Sequence, residues 1–178
     1  LTLFPGGLED LACSTAALSR FRDPAWDAFA TRPARAARRP FVYATFDIDV
    51  LFTTGRDVDA CEFGTPPPNV RVVDWIDQIG VLGEATAVLC HGGGGSTLGA
   101  LAAGVPLVVV PLFAGDQFIN AQRIAAVGAG VQAAPEARAI RAALQAVLAG
   151  GQFRVAAKVL AAELAAQPST DDALDVLA

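Results

Sequence analysis

Charged and chemically reactive side chains are scarce in this chain of 178 residues. Only 17% of its residues are Asp, Glu, Lys or Arg, and it contains one histidine and no methionine. The 53% of hydrophobic residues can bury a sizeable core, which excludes an intrinsically disordered chain. The net charge of −5 argues against a nucleic-acid partner, because such a partner needs a surface that neutralises phosphates.

Cysteine is rare as well. Cys13, Cys61 and Cys90 lie far apart, and none has a second Cys or His at metal-ligand spacing. We therefore expect neither a disulfide scaffold nor a bound metal. The residues from Leu1 to Gly7 include no basic segment and no Met, so they resemble neither a signal peptide nor a natural start. We expect a cytoplasmic protein and a chain that is a fragment of a longer one.

The stretch from Ala85 to Gly115 has no charged side chain and would suggest a membrane span by hydropathy alone. Glycines 92–95, together with Pro106 and Pro111, divide it into pieces too short to cross a bilayer. Buried strands of a parallel sheet produce the same uninterrupted apolar runs, because helices cover both faces of such a sheet. The stretch therefore predicts an α/β core and no membrane span.

Short apolar or β-branched runs bounded by Gly, Pro or Asp predict β-strands. They are Phe41–Phe46, Val50–Thr54, Val70–Trp75, Ala87–Cys90 and Leu107–Val110, with Gly128–Val131 leading into a final short strand. The segments between and after them predict helices over Ser96–Ala103, Asp116–Ala126, Ala137–Ala149 and Phe153–Ala166. Strands that alternate with helices predict a parallel sheet with helices on both faces.

The chain changes character at residue 40. Residues 1–40 are irregular and rich in Pro and Arg, which predicts a linker or strap, and residues 41–178 form the predicted domain. The first two predicted strands leave almost nothing between them at Asp47, whereas a parallel crossover needs about a dozen residues. We infer that a loop and a helix are missing from the sequence near Asp47. Normal peptide bonds at every junction from Thr45 to Val50 would contradict this inference.

The strongest functional signal is the run from His91 to Thr97, which reads H-G-G-G-G-S-T and follows a predicted strand. Glycines let a ligand approach the backbone, and the free N–H groups of a helix N-terminus favour an anion. With the Ser, Thr and His donors, the run suits a diphosphate. The simpler alternative is a Gly-rich turn with a Ser cap, but open α/β folds bind ligands at this edge of the sheet. The run matches neither the P-loop nor the G-x-G-x-x-G dinucleotide motif.

The order of motifs resembles the donor-binding segment of the GT-B glycosyltransferases of family 1, in particular the bacterial antibiotic and macrolide enzymes. After the His, Gly and Ser-Thr cluster come G-V-P at residues 104–106, Pro111, Asp116-Gln117 and Asn120-Ala121. Upstream, Trp75-Ile76-Asp77-Gln78 is similar to the family's W-x-P-Q element, with Asp77 where Pro is usual. The resemblance covers almost all of residues 41–135.

The resemblance implies a Rossmann-like domain, one half of a GT-B fold, that binds a nucleoside diphosphate sugar for inverting transfer to a small natural-product acceptor. For Trp75 the alternative is a core aromatic, and for Arg56 it is a solvated charge. Asn120 is expected to serve local structure. The implied contacts are His91, Gly93, Gly94, Gly95, Ser96 and Thr97 with the diphosphate, Trp75, Ile76 and Gln78 with the base, Asp116 and Gln117 with the sugar, and Arg56 with the donor.

No catalytic residue is expected in this chain. The family takes its base and its acceptor pocket from an amino-terminal domain, and the one histidine here is already assigned to the diphosphate. The expected partners are a TDP- or UDP-linked sugar and that missing domain, with no cofactor, and a homodimer stays open. The alternatives are a non-catalytic nucleotide-sugar binding module and a nucleoside diphosphate sugar epimerase of the same fold.

Overall fold

The computed structural model describes residues 41–42, 49–54, 65–169 and 172. The predicted linker over residues 1–40, the Asp47 junction and Arg56 lie outside the described residues. The inferences about them therefore stay predictions.

Six strands and five helices follow one another in the described residues. They are β1 (Phe41–Val42), β2 (Val50–Thr53), β3 (Val70–Val73), α1 (Gln78–Leu82), β4 (Ala85–Cys90), α2 (Gly94–Ala102), β5 (Leu107–Val109), α3 (Gly115–Ala126), β6 (Gly130–Gln132), α4 (Ala137–Ala149) and α5 (Gly151–Ala165). The four predicted helices are confirmed, with ends that differ by at most two residues.

All strand pairs are parallel, as the alternation of strands and helices predicted. Four strands form a sheet in the order β1-β4-β5-β6, and β2 pairs with β3. Because β1 also contacts β2, the spatial order across the fold is β3-β2-β1-β4-β5-β6. The connections run outward in opposite directions from β1 and β4. In open α/β folds, such a reversal opens a crevice at the carboxyl ends of the two strands.

The side chains of β5 show why helices cover both faces of the sheet. Leu107 and Val109 pack in a core that includes Leu101 of α2 and Leu160 of α5. Val108, between them, belongs to a second core on the opposite face, with residues of α4. Successive side chains of a strand point to opposite faces, so an entirely apolar strand needs apolar partners on both.

Helix α1 is not among the helices predicted from the sequence. It holds only five residues, too few to show a helical hydrophobic period. The local signal is its N-cap, because the Asp77 side chain accepts a hydrogen bond from the Ile79 N–H at 3.2 Å. Asp77 therefore caps a helix at the position where the family's W-x-P-Q element usually has Pro.

Two glycines with positive φ end the helices that lead into β5 and β6. Gly104 has φ +66° and Gly128 has φ +71°, a region that side chains with a Cβ rarely adopt. After Gly104, the Val105 N–H donates to the Ala100 carbonyl at 2.8 Å, which closes the end of α2. The chain therefore returns directly from each helix to the sheet.

The charge-free stretch is divided among β4, α2, β5 and the loops that join them. In the part of the chain that the structure describes, no helix has both the length and the apolar character needed to cross a membrane.

Leu144 tests the second core. It is fully buried (0% exposed) and packs with Val108 and Val147 between α4 and the sheet. We expect Leu144→Ala to lower the free energy of unfolding by about 2–5 kcal/mol, because it leaves a cavity. Val159→Ala on α5, where Val159 is 63% exposed, is the control and should change it by less than about 0.5 kcal/mol. Urea denaturation measures the free energy of unfolding of both variants. Equal losses in Leu144→Ala and Val159→Ala would contradict this assignment of the core.

Candidate functional site

A cavity of about 490 Å³ is lined by β4 along its length and extends to the carboxyl ends of β2 and β3. Its volume is in the range of small-molecule sites. Five residues predicted to bind a sugar nucleotide line it together, three from the segment after β3 and two from the segment after β4. They are Trp75, Ile76, Gln78, His91 and Ser96. The fold therefore places two motifs, separate in the sequence, around one space.

Trp75 stands at this cavity with 58% of its surface exposed. The alternative that it is an ordinary core aromatic is therefore wrong. The neighbouring wall includes the apolar side chains of Val81 and Leu82. An exposed aromatic ring beside an apolar wall offers a surface on which a planar base can stack.

The first turn of α2 has backbone donors for which the described residues supply no capping side chain. The helix begins at Gly94, its N-cap is Gly93, and no side chain in the described residues caps it. The first helical hydrogen bond near this end runs from the Thr97 N–H to the Gly93 carbonyl at 3.1 Å. The N–H groups of residues 93–96 therefore lack intrahelical acceptors, and they lie at the positive end of the helix dipole. This arrangement favours an anion.

The surface over this turn is open. A Cβ added to Gly94 or Gly95 would meet no other described atom within 4 Å. At Gly93, by contrast, it would lie 2.6 Å from Nε2 of His91, so the imidazole folds over the start of the turn. His91 itself is exposed and lines the cavity.

Thr97 lies below this surface. It is 1% exposed, and its Oγ1 has no hydrogen-bond partner in the described part of the chain. The structure thus brings Ser96 to the cavity wall but buries Thr97 beneath it. The predicted contact of Thr97 with a diphosphate stays a prediction.

Cys90 ends β4 and also lines the cavity. Burial raises the pKa of its thiol from 9.0 to about 11, while the Gly92 N–H and the nearby Thr97 hydroxyl oppose the rise. We infer a neutral thiol at physiological pH, which is a poor nucleophile and a poor metal ligand.

Asp116 and Gln117 lie in the first turn of α3 and do not line this cavity. Asp116 is exposed, whereas Gln117 is only 3% exposed. The Gln117 Oε1 accepts hydrogen bonds from the N–H groups of Leu112 and Phe113 at 2.9 and 3.3 Å. The Gln117 oxygen thus holds the loop after β5, and the sugar contacts of Asp116 and Gln117 stay predictions.

Three polar residues of the cavity wall are not among those predicted from the sequence. Thr53 ends β2, Thr54 follows it, and Asp74 follows β3. The available signal was their position directly at the ends of predicted strands, where a parallel sheet binds its ligands. In the described segments of the chain, no group of three or more His, Cys, Asp or Glu could hold a metal ion.

Comparison with known proteins identifies the family. Residues 43–177 match the family model described as erythromycin biosynthesis protein CIII-like, C-terminal domain. Because this match covers well over half of the chain, the chain belongs to that family.

Curated relatives are similar over only part of their length. The elloramycin glycosyltransferase ElmGT of Streptomyces olivaceus is 42% identical over 134 residues, which are 75% of this chain and 34% of that protein. The L-demethylnoviosyl transferase of Streptomyces niveus is 39% identical over 109 residues, which are 60% of this chain and 28% of that protein. The chain thus spans about a third of the length of these relatives.

Solved structures show the same fold. The crystal structure of the glycosyltransferase VinC in complex with dTDP has a TM-score of 0.79 and 25% identity, and the match covers 97% of this chain and 49% of VinC. The architecture is therefore a Rossmann-like parallel sheet with helices on both faces, one half of a GT-B fold, as the resemblance implied.

The Cys90 thiol offers a test through its pKa. In a chain that carries Cys13→Ser and Cys61→Ser, we expect iodoacetamide at pH 8 to alkylate Cys90 about a hundredfold more slowly when folded than when unfolded in urea. The thiolate is the reactive species, and the folded pKa is about 11 against 9.0.

The pH dependence separates this cause from poor access to the thiol. The rate for the folded chain should still rise between pH 10 and 11, whereas the rate for the unfolded chain should level off above its lower pKa. Mass spectrometry of the alkylated fraction gives both rates. Profiles that level off at the same pH would contradict the raised pKa.

Proposed function

We propose that this chain is the donor-binding domain of an inverting glycosyltransferase that uses a nucleoside diphosphate sugar. The proposed donor carries TDP or UDP, and the acceptor is a small natural product. The observation that carries the proposal is that His91 and Ser96, on either side of the glycine run at the start of α2, line the same cavity as the exposed ring of Trp75. One space thus offers an anion site and a stacking surface.

In this proposal, the base stacks on Trp75, and the Ile76 backbone and Gln78 contact its edge. Both residues line the cavity beside Trp75. The diphosphate lies over Gly93, Gly94, Gly95 and Ser96, with His91 as a further donor. Asp116, exposed at the start of α3, is the proposed sugar contact. Any sugar contact of Gln117 would have to use its amide nitrogen, and the proposed roles of Thr97 and Arg56 rest on the family resemblance alone.

The chemistry proposed for this domain is stabilisation of the leaving group. As the glycosidic bond breaks, negative charge develops on the diphosphate, and preorganised N–H donors stabilise that charge. We assign no general base here and no cofactor. The base that deprotonates the acceptor, and the acceptor pocket, are proposed to come from an amino-terminal domain. The limited share of the relatives' length that this chain spans supports that proposal.

The relatives favour a transferase over a non-catalytic module or an epimerase. ElmGT and the oleandomycin glycosyltransferase of Streptomyces antibioticus are both named for glycosyl transfer. VinC, whose crystal structure is a complex with dTDP, shares the fold and is 25% identical to this chain over the matched part. We therefore prefer TDP as the first nucleotide to test.

Trp75 tests the proposed base site. We expect Trp75→Ala to weaken TDP binding by roughly 1–3 kcal/mol, because a stacking surface is lost. The melting temperature should change little, since the side chain is 58% exposed. Phe118→Ala removes another exposed aromatic, on α3 and away from this cavity, and should leave affinity unchanged. Equal TDP affinity of wild type and Trp75→Ala by calorimetry would remove Trp75 from the site.

Gly94 tests the proposed diphosphate site. The wild-type chain should bind TDP at least about tenfold better than thymidine, since a charge-assisted hydrogen bond is worth about 1.5–3 kcal/mol. Gly94→Val places a branched side chain in the open space over the turn and should abolish this preference. Calorimetric titration with TDP and thymidine measures both affinities.

Gly151→Val is the matched control. Gly151 is also the first residue of a helix, and a Cβ there also meets no described atom within 4 Å. The control should keep the preference of the wild type for TDP. A wild-type chain that binds TDP and thymidine equally well would overturn the proposed function.

A further inference from the structure

Asn120 connects helix α3 to the glycine loop. Its Nδ2 donates a hydrogen bond of 2.8 Å to the carbonyl oxygen of Gly92, 28 residues earlier in the chain. The Asn120 side chain is 7% exposed. Loss of a hydrogen-bond partner costs more free energy for a buried amide than for one at the surface, where water replaces the partner. This hydrogen bond therefore constrains the loop strongly.

The bond fixes the direction of the next backbone donor. In a trans peptide, the carbonyl of one residue and the N–H of the next point in opposite directions. No peptide bond in the described residues is cis, and the Gly92 carbonyl points at α3. The N–H of Gly93 therefore points away from α3, and it is the first of the four unpaired donors at the start of α2.

Gly92 also fits closely against its surroundings. Its φ is +91°, and an added Cβ would lie 2.7 Å from Cγ1 of Val109 and 3.0 Å from the carbonyl oxygen of Gln117. The loop is thus pressed between β5 and the first turn of α3, and Asn120 holds it from that inner side. A side chain at position 92 would force the backbone to move, so only glycine fits there.

The same turn of α3 also holds the loop after β5. Gln117, three residues before Asn120, accepts from the N–H groups of Leu112 and Phe113. One helix turn therefore constrains two neighbouring loops at the carboxyl edge of the sheet. Asn120 is the member of this turn that reaches the glycine loop.

We propose that Asn120 is a positioning residue for the diphosphate, acting through the Gly92 carbonyl without touching the ligand. This inference rests on the proposed function of the site. It assigns Asn120 a specific effect. Asn120 orients the Gly93 N–H toward the phosphate and has no effect on the base, which binds near Trp75.

The test compares TDP with thymidine in two variants. Asn120→Ala removes the side-chain donor, and Asn120→Asp keeps the shape but replaces the donor by an acceptor that faces the Gly92 carbonyl. We expect TDP affinity to fall about tenfold in Asn120→Ala and further in Asn120→Asp, while thymidine affinity stays within about twofold. Gln122→Ala, on the exposed side of α3, is the control and should change neither affinity.

The ratio of the two affinities separates positioning from a general structural effect. A merely structural role would weaken TDP and thymidine binding in parallel, and that result overturns the inference. A retained TDP preference in folded Asn120 variants overturns it as well. Should Asn120→Ala fail to fold, the test uses Asn120→Asp. In that variant, the amide NMR shifts of residues 93–96 should change together with the loss of TDP affinity, and unchanged shifts would overturn the inference. A wild-type chain without a TDP preference overturns the proposed function itself, before any variant is compared.

Discussion

The backbone polar groups of a sheet covered on both faces must find partners, and inside the sheet they find them in neighbouring strands. The side chains of β5 alternate between two cores, so water reaches neither face of this strand. Donors without partners are left where helices begin, because the first four N–H groups of a helix have no intrahelical acceptor. At the carboxyl edge, α2 begins with four such N–H groups and no side-chain cap. The diphosphate binding and the leaving-group stabilisation proposed for this domain depend on these uncapped donors.

Glycine at this edge has two different structural roles. Gly92 is needed because its conformation and its close packing against Val109 exclude a side chain. Gly94 and Gly95 have free space where a Cβ would be, so the fold itself does not require them to be glycine. Access of a ligand to the backbone gives a reason for glycine at positions 94 and 95. The run of four glycines thus combines a constraint of folding with a proposed constraint of binding.

The described part of the chain offers binding and charge stabilisation more than proton transfer. Cys90 is held neutral by its raised pKa, and the residues described hold no cluster that could bind a metal. The cavity combines an exposed aromatic ring, several hydroxyl groups and a helix N-terminus. Such a set suits a ligand that carries both a planar ring and an anion. This matches the proposed donor half of a two-domain enzyme.

The sequence by itself determined the parallel α/β fold, the four longer helices and the glycine loop at the end of β4. These features leave local patterns, such as the apolar run of β5 and the helical spacing of apolar residues in α3. Each pattern lies within about fifteen consecutive residues. Only the tertiary structure decided that Trp75 and His91 share one cavity, that Gln117 is buried under the loop after β5, and that Asn120 holds Gly92. Contacts between residues far apart in the chain depend on which helices and strands pack together. A hydrophobic period shows that a face is buried, but it does not show which residues that face will contact.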